Sequence, residues 1–226
     1  MTNVGWVTAI VIALLSLVEA GLQARPQNRP EQRTGHLFPP QNLGLLESPD
    51  RDAWQKPEQI MDALAIAEGS KVADIGVGSG WFTIRLARRV GPNGLVYAED
   101  VQRQMLEATR RRISREGLKN VETILGTDTN PNLPPRTLDA ILMVDMYSEV
   151  DERDRVTFLR NLAAALKPTG RIGVVNYKPG QGGPGPAPNE GVRVDSSAVE
   201  ADARAAGLRV LRRENLPFQY LMVLGR

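Results

Sequence analysis

A strand-like stretch that runs directly into three alternate glycines constrains the fold of this 226-residue chain more than any other feature. It reads VADIGVGSG over residues 72–80, with Gly76, Gly78 and Gly80, and a helical pattern follows from Trp81. Because glycine has no Cβ and adopts positive φ without strain, such a loop lets the backbone approach a flat ligand closely. A dinucleotide fingerprint, G-x-G-x-x-G/A, would need a small residue at the position of Trp81. The spacing is therefore G-x-G-x-G.

Strand and helix patterns alternate along the rest of the chain, which predicts a parallel, doubly wound sheet with its ligand beyond the carboxyl ends of the strands. The last two strands are joined by so short a link that they must be antiparallel, so the final strand runs against the others. The segment 126–137 is rich in proline, and we expect no helix there. The predicted strands are 72–76, 95–98, 121–125, 138–144, 171–177, 208–213 and 218–224, and the predicted helices are 56–67, 81–90, 102–116, 152–166 and 196–206.

With Asp74 two residues before the first glycine, the stretch reads D-x-G-x-G-x-G. It resembles motif I of the class I S-adenosylmethionine-dependent methyltransferases, and the resemblance covers about residues 50–226. It implies an α/β, Rossmann-like, doubly wound sheet of seven mostly parallel strands with the last strand antiparallel. It also implies S-adenosyl-L-methionine as the cofactor, with Gly76, Gly78 and Gly80 in contact with it.

Acidic residues follow the predicted strands, and the resemblance gives several of them a role. Asp74 resembles the acid that orders the methionine end of the cofactor. Asp100, after the second strand, resembles the acid that binds both ribose hydroxyls, since a carboxylate can accept two hydrogen bonds. Glu99 is its rival for that role.

Asp128, after the third strand, resembles the acid that accepts from the adenine amino group, with Thr127 or Thr129 beside it. The alternative for Asp128 is an Asx turn before the proline-rich loop. The segment 51–57 precedes the first helix, where members of the family place a segment that closes over the cofactor. Trp54 in that segment is alternatively a core residue.

The exit of the fourth strand reads D-x-Y-S-E over residues 145–149. It resembles a D-x-Y-H-E pattern of a bacterial branch related to the quinone C-methyltransferases, with Ser148 in place of the histidine. The candidate catalytic residues are Asp145, Tyr147 and Glu149, together with Tyr177 after the fifth strand, and Asp145 is also a candidate cofactor residue. Packing is the alternative role of both tyrosines.

Composition excludes several kinds of site. The chain has no cysteine, which removes disulfides, thiolate catalysis and cysteine zinc sites. Its single histidine, His36, lies in a proline-rich stretch, so we expect no metal site. The net charge is only +2 and the arginines are scattered along helices, so we expect no nucleic-acid partner.

The N-terminus carries an apolar run over residues 4–18, which predicts a signal peptide over 1–20 and export to the periplasm or outside the cell. The alternative is a membrane anchor with a cytoplasmic domain, because three arginines follow the run and none precedes it. In either case residues 4–18 are a possible membrane contact, 21–50 a flexible tether rich in proline and arginine, and 51–226 the methyltransferase domain.

The expected function is in-line methyl transfer from S-adenosylmethionine to a small-molecule acceptor, chiefly by positioning. The alternatives are a binding module built on a degenerate methyltransferase fold and a Rossmann-type, NAD-dependent oxidoreductase. Because the domain has no histidine to act as a base near neutral pH, we expect an acceptor atom that is already nucleophilic, such as a thiolate, an enolate carbon or a phenolate.

Overall fold

The computed structural model describes residues 37–187 and 193–226. Seven strands form one sheet in the order β3-β2-β1-β4-β5-β7-β6. The strands are β1 (Lys71–Ile75), β2 (Leu95–Asp100), β3 (Val121–Leu125), β4 (Leu138–Val144), β5 (Leu166–Tyr177), β6 (Arg209–Asn215) and β7 (Gln219–Gly225). The α-helices are α1 (Arg51–Gln55), α2 (Pro57–Ala63), α3 (Trp81–Val90), α4 (Arg103–Arg115), α5 (Arg155–Ala165) and α6 (Ser196–Ala205).

The direction of the strands confirms the predicted fold class. Strands β1 to β5 pair in parallel, whereas β7 is antiparallel to both β5 and β6. Only three residues, 216–218, separate β6 from β7, and a link of that length can join only antiparallel neighbours. The reversed strand starts at the edge where the parallel strands end, because Gln219 pairs with Tyr177.

Helices cover both faces of the sheet, because successive residues of its central strands point to opposite sides. On β1, Val72 packs with residues of α2 and α3, whereas Ala73 and Ile75 pack with residues of α5 and α6. All three side chains are fully buried. With both faces closed, a ligand reaches the sheet only at an edge or at the strand ends.

Three elements differ from their predicted bounds by three or more residues at one end. Helix α2 ends at Ala63 rather than 67, because Ala65 takes a left-handed φ of 54° that no helix continues. Helix α5 begins at Arg155 rather than 152. Strand β5 begins five residues early at Leu166, and its pairing with β4 shifts register between Leu138 and Ala140. That irregularity accommodates 167–170, including a proline that cannot donate to the ladder.

No helix forms between β3 and β4, as the prolines of 126–137 predict. The proposed signal peptide and residues 21–36 of the proposed tether lie outside the described residues, so those assignments stay predictions. Residues 37–50 contain a 3₁₀ helix, Pro40–Leu46. Within the described part of the chain, every helix is too short or too polar to cross a membrane.

Candidate cofactor and acceptor site

The glycine loop between β1 and α3 is a left-handed turn fixed to the end of β2. Gly76, Gly78 and Gly80 have φ values of 70°, 53° and 78°, which disfavour any residue with a Cβ. The backbone N–H groups of Gly76 and Val77 both donate to the carbonyl of Glu99, at 2.9 and 3.1 Å. The loop is therefore held rigidly at the carboxyl edge of the sheet.

The surroundings of the three glycines differ. A Cβ on Gly76 would lie 2.8 Å from Cβ of Met146, and one on Gly80 would lie 3.0 Å from Cγ2 of Thr109, so internal packing excludes side chains at both. Within 37–187 and 193–226, a Cβ on Gly78 would meet only Cδ1 of Leu46, at 2.9 Å. Gly78 is thus the glycine whose Cα faces out of the domain core, under the segment 37–50.

The carboxylate of Asp100 lies beside the glycine loop. It is 6% exposed and accepts hydrogen bonds from the backbone N–H of Gln102 at 2.8 Å and of Gly78 at 3.3 Å. The Glu99 side chain is buried elsewhere, because its Oε1 lies 1.7 Å from the position of a Cβ on Gly126, after β3. Of the two rivals, the structure brings Asp100 to the loop.

Asp74 lies at the base of the same loop. It is 3% exposed, and the hydroxyl of Thr83 on α3 donates to its Oδ2 at 2.6 Å. Burial raises the pKa of Asp74 to about 6, against the opposing effects of the Thr83 hydrogen bond and of the nearby Arg51. The acid is thus held in one orientation, close to its titration range at neutral pH.

Asp128 is partly buried in the turn that follows β3. The turn is closed by Thr127 and Asn130: the Thr127 N–H donates to the carbonyl of Asn130 at 2.8 Å, and the Asn130 N–H donates to the Thr127 hydroxyl at 3.1 Å. The structure leaves both of its predicted roles open.

Asp145 ends β4 at the same edge. Its φ is 57°, a left-handed conformation that is uncommon for aspartate and strained. The side-chain N–H₂ of Gln219 donates to both carboxylate oxygens, at 2.8 and 2.7 Å, and Gln55 donates to the Oε1 of Gln219 at 2.6 Å. Burial raises the pKa of Asp145 to about 7, although Arg51, Gln219 and Arg193 lower it.

Aromatic rings lie near Asp145. Trp54 packs against Tyr177 and Phe218 with ring centroids 6.1 and 6.4 Å apart, and the guanidinium of Arg193 lies 5.2 Å from the Tyr177 ring. Burial and the charge of Asp145 raise the pKa of Tyr177 above its ordinary value. Trp54 is buried, with 9% of the residue exposed, yet its indole N–H has no hydrogen-bond partner among the described residues.

The other candidate catalytic residues lie in the short 3₁₀ helix Tyr147–Glu149. Tyr147 is fully buried, and its hydroxyl donates to Asp202 on α6 at 2.8 Å. Burial and that contact raise the pKa of Tyr147. Ser148 and Glu149 are partly buried. The structure therefore brings Asp145 and Tyr177 together, and commits the Tyr147 hydroxyl to α6.

Residues 37–50, which we term the strap, lie across the glycine loop. The carbonyl of Phe38 accepts from the Gln102 side chain at 3.1 Å, and Glu47 forms an ion pair with Arg112 at 2.8 Å. Arg51 donates to the carbonyl of Leu46 at 2.6 Å, and its guanidinium lies 4.3 Å from the Trp81 ring. The strap is thus tied to Gln102 and Arg112 at α4 and to Arg51 of α1.

Sequence reasoning missed four polar residues around Asp145, namely Arg51, Gln55, Arg193 and Gln219. Gln55 and Gln219 are 164 positions apart, and no spacing rule relates them. For Arg51 and Gln55 there was a partial signal, because they belong to the segment 51–57 before the first helix.

Comparison with known proteins agrees with this architecture. A family model described as a methyltransferase domain matches residues 72–170. The demethylmenaquinone methyltransferase of Geobacillus sp. (strain WCH70) is 30% identical over 115 residues, which is 51% of this chain and 48% of that protein. The ubiquinone/menaquinone biosynthesis C-methyltransferase UbiE of Pasteurella multocida (strain Pm70) is 30% identical over 118 residues, 52% and 43% of the two chains. The chain spans about half the length of these curated relatives.

A solved structure matches over a larger share of both chains. The crystal structure of a SAM-dependent methyltransferase from Aquifex aeolicus superposes with a TM-score of 0.77 and is 28% identical. The match covers 83% of this chain and 98% of that one. The likeness therefore extends over almost the whole of the solved protein.

S-adenosylmethionine, the cofactor of such proteins, fits the residues at this edge. It carries no phosphate, so a loop that acts by close approach suffices, and Gly78 supplies the space that a Cβ would fill. If the cofactor binds here, the Asp100 carboxylate beside Gly78 would be available to the ribose hydroxyls, and Asp74 to the methionine end. By its motif, its sheet and its likeness to known proteins, the chain belongs to the class I S-adenosylmethionine-dependent methyltransferases.

Proposed function

We propose that the protein transfers a methyl group from S-adenosylmethionine to a planar, hydroxylated aromatic small molecule. The observation that carries the proposal is the position of Asp145, a carboxyl with a pKa of about 7, at the same strand edge as the Asp100–Gly78 contact. The Asp100–Gly78 contact suits the cofactor, and the Asp145 carboxyl suits an acceptor that loses a proton. Their shared edge is where ligands of parallel sheets bind.

The cofactor side of the site would act by positioning. Bound S-adenosylmethionine supplies an activated methyl group on its sulfonium, so no residue has to activate the donor. Asp100 would hold the ribose, Gly78 would allow close backbone approach, and Asp74, fixed by Thr83, would order the methionine end. The strap and Trp81 would exclude water above the loop. Alignment of this kind accounts for much of the acceleration in displacement reactions.

The acceptor side supplies a proton acceptor. A carboxylate with an ordinary pKa is a poor base for an alcohol, but Asp145, with a pKa of about 7, is matched to the neutral range in which a general base is most effective. It would take the proton from a phenol or enol. The oxygen, or the carbon next to the oxygen-bearing carbon, would then supply the electron pair for the new bond to the methyl carbon, while the bond between that methyl carbon and the sulfonium sulfur breaks and the demethylated product leaves with the sulfur electron pair. The proton passes from Asp145 to water after the transfer.

Two further observations favour an aromatic acceptor. Trp54, Tyr177 and Phe218 form an aromatic cluster on the Asp145 side, and flat ligands stack on such rings. The matched relative in Geobacillus is named a demethylmenaquinone methyltransferase, and the one in Pasteurella is named a C-methyltransferase of ubiquinone/menaquinone biosynthesis. We extend that chemistry to this chain as a class of acceptor only.

A transfer assay with isotope-labelled methyl tests the proposal. The purified full chain is given labelled S-adenosylmethionine with a hydroxynaphthoate or a reduced naphthoquinone, with an aliphatic alcohol, or with a primary amine. We expect label in the aromatic acceptor, little in the other two, and a strong loss in Asp100→Asn. Label only in the alcohol or amine would refute the acceptor class, and no transfer to any acceptor despite cofactor binding would favour a binding module.

A further inference from the structure

Two buried glutamines join a cation of α1 to the carboxylate of Asp145. Gln55, at the end of α1, and Gln219, at the start of β7, are both fully buried. The Nε of Arg51 donates to the Oε1 of Gln55 at 2.8 Å, and Gln55 donates to the Oε1 of Gln219 at 2.6 Å. Gln219 in turn donates to both oxygens of Asp145, at 2.8 and 2.7 Å.

The direction of this chain of hydrogen bonds is fixed at both ends. A guanidinium can only donate, and an ionised carboxylate can only accept. Each amide between Arg51 and Asp145 must therefore turn its oxygen toward the cation and its N–H₂ toward the anion. Hydrogen bonds aligned in one sense polarise one another in a buried setting, so removal of one member weakens the next.

Asp145 has a strained backbone, and these hydrogen bonds fix its side chain. Its φ of 57° lies in a region that residues other than glycine occupy only when their surroundings impose it. Its own N–H donates to the carbonyl of Val175 at 2.8 Å, which anchors the main chain to β5. The two contacts from Gln219 then determine where the carboxylate points.

We propose that Gln219 and Gln55 are positioning residues for methyl transfer, which fix the carboxylate of Asp145 toward the acceptor and favour its ionised form. The inference rests on the proposed function for its catalytic meaning, although the effect on the carboxyl itself can be measured without cofactor or acceptor. Gln219 donates to the carboxylate at both oxygens. Gln55 holds the Gln219 amide in the orientation that donates, and its own side chain also favours the ionised carboxyl.

Other titratable groups face Asp145 and also influence the ionisation of its carboxyl. Arg51 on α1 and Arg193, just before α6, favour the ionised carboxyl, whereas burial opposes it. Tyr177 on β5 and Tyr220 on β7 also interact with its charge. Substitution of Gln219 leaves all four groups and the Arg51–Gln55 contact in place, so a change in titration in that variant reports on Gln219. Substitution of Gln55 also removes the acceptor of Arg51 Nε, so its effect includes that of Arg51.

The test is a pH titration of the Asp145 carboxyl carbon by NMR, in the full chain labelled with ¹³C-aspartate, with Asp145→Asn to assign the signal. We expect a midpoint near the pKa of about 7 in the wild-type chain. It should rise by about one pH unit in Gln219→Leu, because a hydrogen bond to the charged form is lost, and by a smaller amount in Gln55→Leu. The acid limb of the transfer rate should move with it.

Gln59→Leu is the matched control, since Gln59 is exposed and bonds Glu214 instead; its midpoint should equal that of the wild type. If Gln219→Leu fails to fold, Gln55→Leu decides alone, because it leaves Gln219 in place. An unchanged midpoint in Gln55→Leu would overturn the coupling of the two glutamines. An absence of methyl transfer, with the midpoints shifted as expected, would count against the proposed function and not against the coupling.

Discussion

Cδ1 of Leu46 stands 2.9 Å from the position that a Cβ on Gly78 would take. Among the residues that the structure describes, no other atom lies within 4 Å of that position outside the immediate neighbours of Gly78. The strap and the middle glycine of the loop therefore share one small space. A flat ligand against Gly78 has to meet the strap at this point.

This relationship separates two reasons why Gly78 is glycine. We expect Gly78→Ala to weaken S-adenosylmethionine binding at least about tenfold, because the Cβ occupies ligand space and the φ of 53° strains alanine. Leu46→Ala alone should change binding little, and the double variant should bind as weakly as Gly78→Ala. Calorimetry on the three variants decides between them. Recovery of affinity in the double variant would mean that Gly78 merely makes room for the strap.

Much of the fold was predictable because it follows from local patterns. Strands β3 and β4 and helix α3 have the predicted bounds, since each is an apolar run or periodic face with clear breakers. The reversal of β7 followed from the length of one link. The early start of β5 was not predictable. Its first residues pair with β4 only through a register shift, and the sequence of 167–170 contains no signal for that shift.

The residues of the site likewise divide into those that a local motif predicts and those that only the folded chain brings together. Asp100 and the glycines belong to one local motif, whereas Gln55 and Gln219 meet only after the sheet and α1 are assembled. The raised pKa of Asp145 could not be predicted from the sequence either, because it depends on burial by distant segments. From sequence alone, Asp145 had to be treated as an ordinary carboxylate, and the neutral range of its titration emerges only from the folded environment.

The two tyrosines at the predicted acceptor side should respond differently to loss of their hydroxyls. Tyr147→Phe should lower the free energy of unfolding by about 1–2 kcal/mol, because it leaves Asp202 without its donor, and should leave the methyl-transfer rate nearly unchanged. Tyr177→Phe should lower the methyl-transfer rate instead, because it removes a hydroxyl that interacts with the Asp145 carboxyl, and should change the free energy of unfolding little. Urea unfolding and a rate assay on both variants test this. A rate loss confined to Tyr147→Phe would support the catalytic role predicted for Tyr147 from its motif.

The stability of the protein should depend on the ionisation of Asp145. Its pKa is about 7 in the folded chain and about 3.9 when unfolded. The folded state therefore binds more protons between those pH values, and this group's contribution to stability falls as the pH rises from about 4 through about 7.

Asp145→Asn removes that dependence. The difference in free energy of unfolding between the variant and the wild type should be more favourable to the variant at pH 8 than at pH 5, by on the order of 2 kcal/mol. Asp74, whose pKa is also raised, is present in both chains and cancels in the comparison. Denaturant unfolding at the two pH values measures the difference, and an equal effect of the substitution at both pH values would contradict the raised pKa.

Ser148 stands where the related motif has histidine, and it has no role as a base in this account. We expect Ser148→Ala to retain methyl transfer to a phenol or enol acceptor within about tenfold, because Asp145 takes the proton. Introducing histidine by Ser148→His should not be needed for turnover. A rate assay with the aromatic acceptor provides the measurement, and an inactive Ser148→Ala with unchanged cofactor binding would require a different base.

Calorimetry shows whether this edge of the sheet binds S-adenosylmethionine through Asp100. We expect S-adenosylmethionine and its demethylated product to bind with micromolar affinity and NAD not to bind. Asp100→Ala should weaken both by about 1.5–3 kcal/mol through loss of charge-assisted hydrogen bonds. Glu99→Ala should weaken them far less, since Glu99 packs against Gly126. Binding of NAD but not of S-adenosylmethionine would mean that the edge holds a different cofactor, and unchanged affinity in Asp100→Ala with a loss in Glu99→Ala would mean that Glu99 binds the ribose.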